Sequence, residues 1–378
     1  MGFSQHRLTL QGDTPGSQFE LVYYAVGPEE DRPKVYLQAA LHADEQPGTM
    51  VLHHLLPRLR EADASGRLQA RFVVLPMANP LGMANLSFRQ HLGRYDGNTG
   101  VNYNRRWPDL FTMIGDEVAS SLGQDGPANV KAVRRAIGTW IESQDPRTAA
   151  EALRLAVLRL CHDADYVLDL HCDSDSLIHI FTSPEFDLQD LADWMGAAAT
   201  LVASDSGGGS FDEMLPVAFR KIQAANPDKP VPIGAQTATL EYRGTADSFD
   251  DLGSEDARRL FGFFAERGLI AAEVGPRPPA APPATPFDAT EVVRTSAPGL
   301  LAYRVELGAR VSKGEAIADL IALDGPDAFL GRTPILAGQN GLVLSRSLRK
   351  YAPRGANIAK IVGTEPLTSR SGGYLLED

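Results

Sequence analysis

The sequence predicts an α/β protein: a mixed, largely parallel sheet flanked by helices, followed by a smaller all-β C-terminal domain. Three observations carry that reading. Short apolar runs alternate with helix-length amphipathic stretches through roughly the first 275 residues, the order expected of a sheet covered on both faces. The stretch Gly275-Pro-Arg-Pro-Pro-Ala-Ala-Pro-Pro-Ala-Thr-Pro286 then packs six prolines into a segment that can form neither helix nor central strand. Beyond it, glycine-punctuated short strands replace helical patterning altogether.

In chain order, Lys34 to Leu41 and Arg71 to Met77 read as buried strands, joined by a helix from about Pro47 to Arg60. Helices near Pro127 to Ser143 and Arg147 to His162 precede a strand from Asp165 to His171, and another from Leu177 to Thr182. Helices near Leu188 to Ala203 and Ser210 to Ala225 lead to a strand from Gln236 to Arg243. A helix from Ser254 to Arg267 closes the region, with Ser254, Glu255 and Asp256 in cap and first-turn positions. The organisation expected is therefore a hydrolase-sized domain over 1–275, a linker over 276–287 and a β-rich domain over 288–378.

The C-terminal part repeats internally. Gly299-Leu-Leu301 leads through Val311-Ser-Lys-Gly314 to Ile317-Ala318, and Gly341-Leu-Val343 leads through Ala352-Pro-Arg-Gly355 to Ile358-Ala359. Two such units, each too small to close a core alone, would share one. With Ala297-Pro298-Gly299 and Gly308-x-x-Val311-x-Lys313-Gly314-Glu315, this part resembles the biotinyl/lipoyl-like barrel-sandwich hybrid fold. It lacks the carrier lysine, because no lysine lies between Gly314 and Arg349.

Composition narrows the function classes. The chain has 378 residues, 36 basic against 48 acidic, for a net charge of −12, which argues against a nucleic-acid partner. No apolar stretch approaches the roughly 20 residues of a membrane span, and the first residues lack the basic-then-apolar run of a signal peptide, so a cytoplasmic protein without a membrane partner is expected. Two cysteines, Cys161 and Cys172, exclude a disulfide framework.

The residues with chemistry to offer gather at expected strand ends. His42 and Glu45 follow the first apolar strand, where open α/β sheets bind ligands, and imidazole and carboxylate are both zinc ligands. A hydrolytic zinc site needs a third ligand, for which His171 is the best candidate. Asp169, two residues earlier on the same strand face, could orient it. His53, His54, His162 and His179 read as structural. Arg94 could stabilise an oxyanion, and the Asn104-Arg105 pair suits a substrate carboxylate because guanidinium offers a planar fork. Glu241 ends an apolar strand, where a carboxylate is costly unless functional. It could serve as general base, the bland alternative being an ion pair with Arg243.

His-x-x-Glu, Arg-x9-Asn-Arg, a strand-ending Asp-Leu-His and a strand-ending Glu, in that order, resemble the zinc carboxypeptidase clan, and within it the succinylglutamate desuccinylase/aspartoacylase family. The resemblance implies one zinc per chain on His42, Glu45 and His171, with Glu241 as base and proton shuttle. It further implies Arg94 at the scissile carbonyl and Asn104 and Arg105 on the substrate carboxylate. The reaction implied is hydrolysis of the amide of a small N-acyl amino acid. A metallocarboxypeptidase acting on peptide C-termini and a non-catalytic binding protein of the same fold are the competing expectations. Self-association is left open. Where many deacylases of this group follow Asp-Leu-His with small residues, this chain has Cys172-Asp-Ser-Asp175. Those two acids are expected to disfavour a dianionic acyl group and to favour a cationic substrate. For the tyrosine found in many of these sites, Tyr242 and Tyr103 are the candidates.

Overall fold

Alternation of apolar side chains builds the central sheet. In the strand Lys34–Ala39 the odd residues Val35, Leu37 and Ala39 face one hydrophobic core, and Tyr36 faces another. Phe72 and Val74 divide in the same way from Val73 and Leu75, as do Leu168 and Leu170 from Val167. Strands apolar on both faces must lie between two helical layers. The computed structural model, which describes all residues except 1, 29–31, 327, 371–374 and 376–378, has that arrangement. One face carries the helices Leu110–Ala119, Gly126–Glu142, Ala149–Cys161 and Phe211–Ala225, and the other Pro47–Ala64, Gln189–Met195 and Asp250–Glu266.

Among the described residues the sheet has nine strands. An N-terminal antiparallel hairpin, Ser4–Gln11 with Gln18–Val26, edges it. Next come Arg71–Leu75, Lys34–Ala39, Tyr166–Asp173 and Gln236–Gly244, all mutually parallel. His179–Thr182 then joins antiparallel to Gln236–Gly244, and Ala199–Val202 and Thr285–Pro286 follow parallel to it. The sheet is thus mixed and mostly parallel, as expected.

Two expected elements differ. The helix foreseen over Leu188 to Ala203 stops at Met195, because Gly196 takes a left-handed φ of 68° and ends it. The alanines that read as helix formers then enter the strand Ala199–Val202, where pairing to His179–Thr182 overrides propensity. The last helix begins at Asp250, so Asp250 and Asp251 occupy its first turn, and Ser254 is interior. No helix among the described residues is long and apolar enough to cross a membrane.

After the proline-rich segment, two antiparallel sheets enclose a small core that includes Val293, Leu301, Ile317, Val343, Ile358 and Ile361. The internal repeat has a structural counterpart. In each copy the first strand pairs with the short strand of the other: Gly299 and Leu300 with Ala352 and Tyr351, and Gly341 and Leu342 with Val311 and Arg310. Neither copy can form its sheets without its partner. This part also joins the rest of the chain. Asp175–Ser176 pairs antiparallel with Ser345 and Arg346 of the strand Gly341–Arg346, and Leu344 and Val362 pack against Ala199, Leu201 and Phe287.

Candidate metal centre

Two neighbouring parallel strands and one turn place the reactive groups. In Tyr166–Asp173, Asp169 and His171 point to the face opposite Leu168 and Leu170. Glu241 lies directly beside His171 in the register of the next strand. His42 and Glu45 arrive from the turn after Ala39. Ala40, buried, takes a left-handed φ of 54° to reverse the chain there. A strained residue at the mouth of a site is the kind of feature that surrounding packing has to hold in place. Gly48, at the start of the helix Pro47–Ala64, lets that helix approach the His171 strand: a Cβ on it would meet the Leu170 carbonyl at 2.7 Å. Gly93 does the same for the loop that carries Arg94, since its Cβ would stand 2.7 Å from the Asp44 nitrogen.

The result is a tight cluster. One ligand atom from each of His42, Glu45 and His171 lies within 4.8 Å of the others, and all three residues are buried. His42 Nδ1 is 3.0 Å from Glu45 Oε1, and His171 Nδ1 is 2.8 Å from Glu45 Oε2. The far nitrogens are engaged elsewhere: His171 Nε2 with Asp169 Oδ2 at 2.8 Å and His42 Nε2 with Asn102 Oδ1 at 2.7 Å. Glu45 Oε2 also accepts the Cys172 N–H at 3.2 Å. Arg94 Nη1 donates to Glu45 Oε1 at 2.7 Å and lies 3.2 Å from His42 Nδ1.

Electrostatics follow from this packing. Burial alone would raise the Glu45 carboxyl, but His42 and His171 hold it well below its usual range. Burial lowers the proton affinity of His42, and Arg94 beside it lowers it further. Burial also opposes charge on His171, yet the carboxylates of Asp169 and Glu45 on its two sides hold its proton affinity well above the ordinary value. Glu241 is pushed up to about 8, first by burial and then by the Glu45 carboxylate. Its Oε2 is enclosed and without a hydrogen-bond partner.

The donor set fits a divalent cation. Two imidazole nitrogens and a carboxylate converge with each imidazole anchored at its other nitrogen, which is the way metal-binding histidines are oriented. Both ligand types match zinc.

The other expected residues fall around the same cavity, of about 640 Å³, which Arg94, Asn104, Arg105 and Glu241 line together with the three cluster residues. Asn104 is partly committed to structure, its Oδ1 accepting the N–H of Phe211 at 2.8 Å at the start of the helix Phe211–Ala225. Arg105 Nη1 donates to the Asn104 carbonyl at 2.9 Å. Arg243 does not pair with Glu241. A register shift follows Glu241, Arg243 adopts φ 63°, and its guanidinium grips Asp256 at 2.6 and 3.0 Å.

Two sequence expectations are corrected. Asp173 and Asp175 do not offer free negative charge, since Asp173 pairs with Lys360 at 2.9 Å and Asp175 with Arg346 at 3.1 Å. Tyr242 and Tyr103 sit in the two hydrophobic cores, away from the cavity, whereas Tyr95 and Tyr351 line it. Sequence reasoning also gave Asn102 no role, although it stands two residues before Asn104 in the same motif. The four histidines read as structural stay outside the cluster; His54 bonds Asp250 at 3.0 Å, and His179 is fully buried.

Residues 31–210 match the succinylglutamate desuccinylase/aspartoacylase catalytic domain. A comparison with curated proteins gives no match. Among solved structures, a succinylglutamate desuccinylase/aspartoacylase family protein of Shewanella amazonensis SB2B is 23% identical, with 95% of this chain and 98% of that one covered at a TM-score of 0.81. Its counterpart from Shewanella frigidimarina NCIMB 400 is 22% identical over 95% and 97%, with a TM-score of 0.81. The ectoine utilization protein EutE (DoeB) of Ruegeria pomeroyi is 18% identical over 96% of both chains, with a TM-score of 0.65. At these identities the likeness is one of fold, extending through the C-terminal part. The match to the succinylglutamate desuccinylase/aspartoacylase catalytic domain covers the segment that carries His42, Glu45 and His171.

Proposed function

We propose that the chain is a zinc-dependent deacylase that hydrolyses the amide of a small N-acyl amino acid. The observation that carries the reading is the convergence of His42, Glu45 and His171 beside the carboxyl of Glu241, whose enclosed Oε2 has no partner. His42, Glu45 and His171 would hold a divalent ion, which would supply Lewis-acid polarisation and lower the pKa of a water. Glu241 takes up the proton of the attacking water as its oxygen bonds the acyl carbon, and returns it to the nitrogen as the C–N bond breaks. Burial raises the proton affinity of the Glu241 carboxyl, which favours its taking up the proton of the attacking water. Arg94 steadies the negative charge that develops on the carbonyl oxygen. Asn104 and Arg105 hold the substrate carboxylate, Arg105 by its planar fork.

The domain division follows the same proposal: a hydrolase over 1–275, a proline-rich linker over 276–287, and a barrel-sandwich-like domain over 288–378 that takes no carrier modification. Residues of that last part, among them Ser347, Leu348, Tyr351 and Lys360, line the cavity. A cavity walled by a second unit favours a small substrate over a peptide end. The test is metal content and turnover on a panel of N-acyl amino acids beside short peptides. Absence of a stoichiometric divalent metal from the active protein would overturn the reading. Preferential release of C-terminal residues from peptides would replace it with a carboxypeptidase, and binding without turnover would replace it with a binding protein.

A further inference from the structure

Asn102 presents its side-chain oxygen to two donors. One is the backbone N–H of Asn104, 2.8 Å away, and the other is His42 Nε2, 2.7 Å away. A backbone N–H can only donate, so the atom facing it has to be the amide oxygen, and the orientation of the amide is thereby fixed. Since that oxygen can only accept, His42 Nε2 must carry a hydrogen. A neutral His42 then keeps its lone pair on Nδ1, the nitrogen turned towards Glu45 and Arg94. The companion nitrogen Nδ2 of Asn102 is buried and has no hydrogen-bond partner. A buried amide donor without a partner is destabilising, and it persists here where the oxygen of the same group serves His42.

The loop around Asn102 is built to hold it. Asp96 accepts from the Asn98 N–H and the Thr99 hydroxyl, the Asp96 N–H bonds the Val101 carbonyl, and the Tyr103 N–H bonds the Arg94 carbonyl. Asn102 itself bridges to Tyr95. Arg94 and Asn102, at the two ends of this closed loop, therefore contact opposite nitrogens of the same ring.

We infer that Asn102 is a positioning residue that fixes the tautomer and ring orientation of His42, so that Nδ1 is the ligand atom. It does for His42 what Asp169 does for His171, but with a neutral group. The inference rests on the metal reading above, and the experiment separates the two.

Zinc affinity of the wild type, Asn102→Leu and Asn102→Asp is measured by competition with a chromogenic chelator. The histidine tautomers of the metal-free proteins are read from 15N chemical shifts. The expected results are stoichiometric zinc on the wild type, with His42 in its Nε2–H form. Asn102→Leu should weaken zinc binding by about 10–100-fold and mix the tautomers. Asn102→Asp, which keeps an acceptor oxygen in place, should hold zinc within a few-fold of the wild type. Wild-type zinc affinity in Asn102→Leu, or His42 protonated on Nδ1 in the wild type, overturns the positioning role and leaves the metal reading intact. A wild type that holds no zinc overturns both. Should Asn102→Leu fail to fold, loss of zinc affinity in Asn102→Asp as large as that of a ligand variant would refute the role of the oxygen.

Discussion

Lys360, on the strand Asn357–Val362, reaches Asp173 at 2.9 Å, two residues beyond the candidate ligand His171 on the latter's own strand. Arg346 holds Asp175 at 3.1 Å in the same way. The C-terminal part is thus fastened to the strand end that carries the site. The acids that departed from the family pattern are the points of attachment.

Replacing Lys360 by Met should therefore cost stability, because it strands a largely buried carboxylate. Side-chain exposures of 18% and 20% leave little water to compensate. A loss of about 1–3 kcal/mol is expected, read as a lower denaturant midpoint. Burial by itself would raise the Asp173 carboxyl, but Lys360 and neighbouring donors hold it well below its usual range. A depressed folded-state pKa gives stability that is present above the unfolded value of about 3.9 and is lost as pH falls through the folded value. In the variant burial raises the proton affinity of the stranded Asp173, so the difference from wild type should be greatest near pH 7 and shrink as acid protonates that carboxyl. A difference that grows as the pH is lowered would assign the effect to another group.

How much of this was legible in the sequence depends on distance along the chain. His42, Glu45, His171 and Glu241 could be read because each closes an apolar run, and a polar residue at a strand's carboxyl end is conspicuous there. The cations that meet Asp173 and Asp175 lie more than 170 residues downstream, in a part with its own core, and no local pattern joins them. Ala197 to Ala199 misled for the opposite reason: their helix propensity is real, but strand pairing after Gly196 outweighs it. Period-two alternation would put Arg243 on the face of Glu241, but the bulge and its φ of 63° break that alternation.

His179 gives a pH dependence of opposite origin. It is fully buried, and burial pushes its pKa down to about 4, with Asp173 only partly offsetting this. Between about 6.5 and 4 the unfolded chain takes up a proton that the folded chain refuses, so stability should fall as the pH is lowered through this window. The slope is up to about 1.4 kcal/mol per pH unit. Urea midpoints of the wild type and His179→Gln, taken from pH 4.5 to pH 7 with chelator present in both, isolate the term. The variant should lose that slope, and parallel curves would show that His179 does not titrate as its burial requires.

Arg105 and Arg94 should separate kinetically. Arg105→Ala removes a group proposed to hold the carboxylate in ground state and transition state alike, so KM should rise by about 10-fold or more with a smaller change in kcat. Discrimination against a substrate whose carboxylate is capped as a primary amide should be lost with it. Arg94→Ala should chiefly lower kcat, since the charge it is proposed to meet develops during reaction. Steady-state kinetics on one N-acyl amino acid decide the matter, and equal effects on KM from both variants would reverse the assignment.

Glu241→Gln is the sharpest test of the proposed chemistry. The amide is nearly isosteric with the carboxyl, and Glu241 is not among the three clustered ligand residues, so metal content and thermal stability should be little changed. Stability should even rise slightly, because a carboxyl packed close to Glu45 is replaced by a neutral group. Turnover should fall by about 10²–10⁴-fold, the range associated with a lost general acid–base. The fall should be in kcat with KM nearly unchanged, since Glu241 acts on the water and the leaving nitrogen. If Glu241→Gln turned over at the wild-type rate with metal bound, proton transfer would have to pass to another group in the cavity. The raised proton affinity of Glu241 would then be a consequence of burial alone.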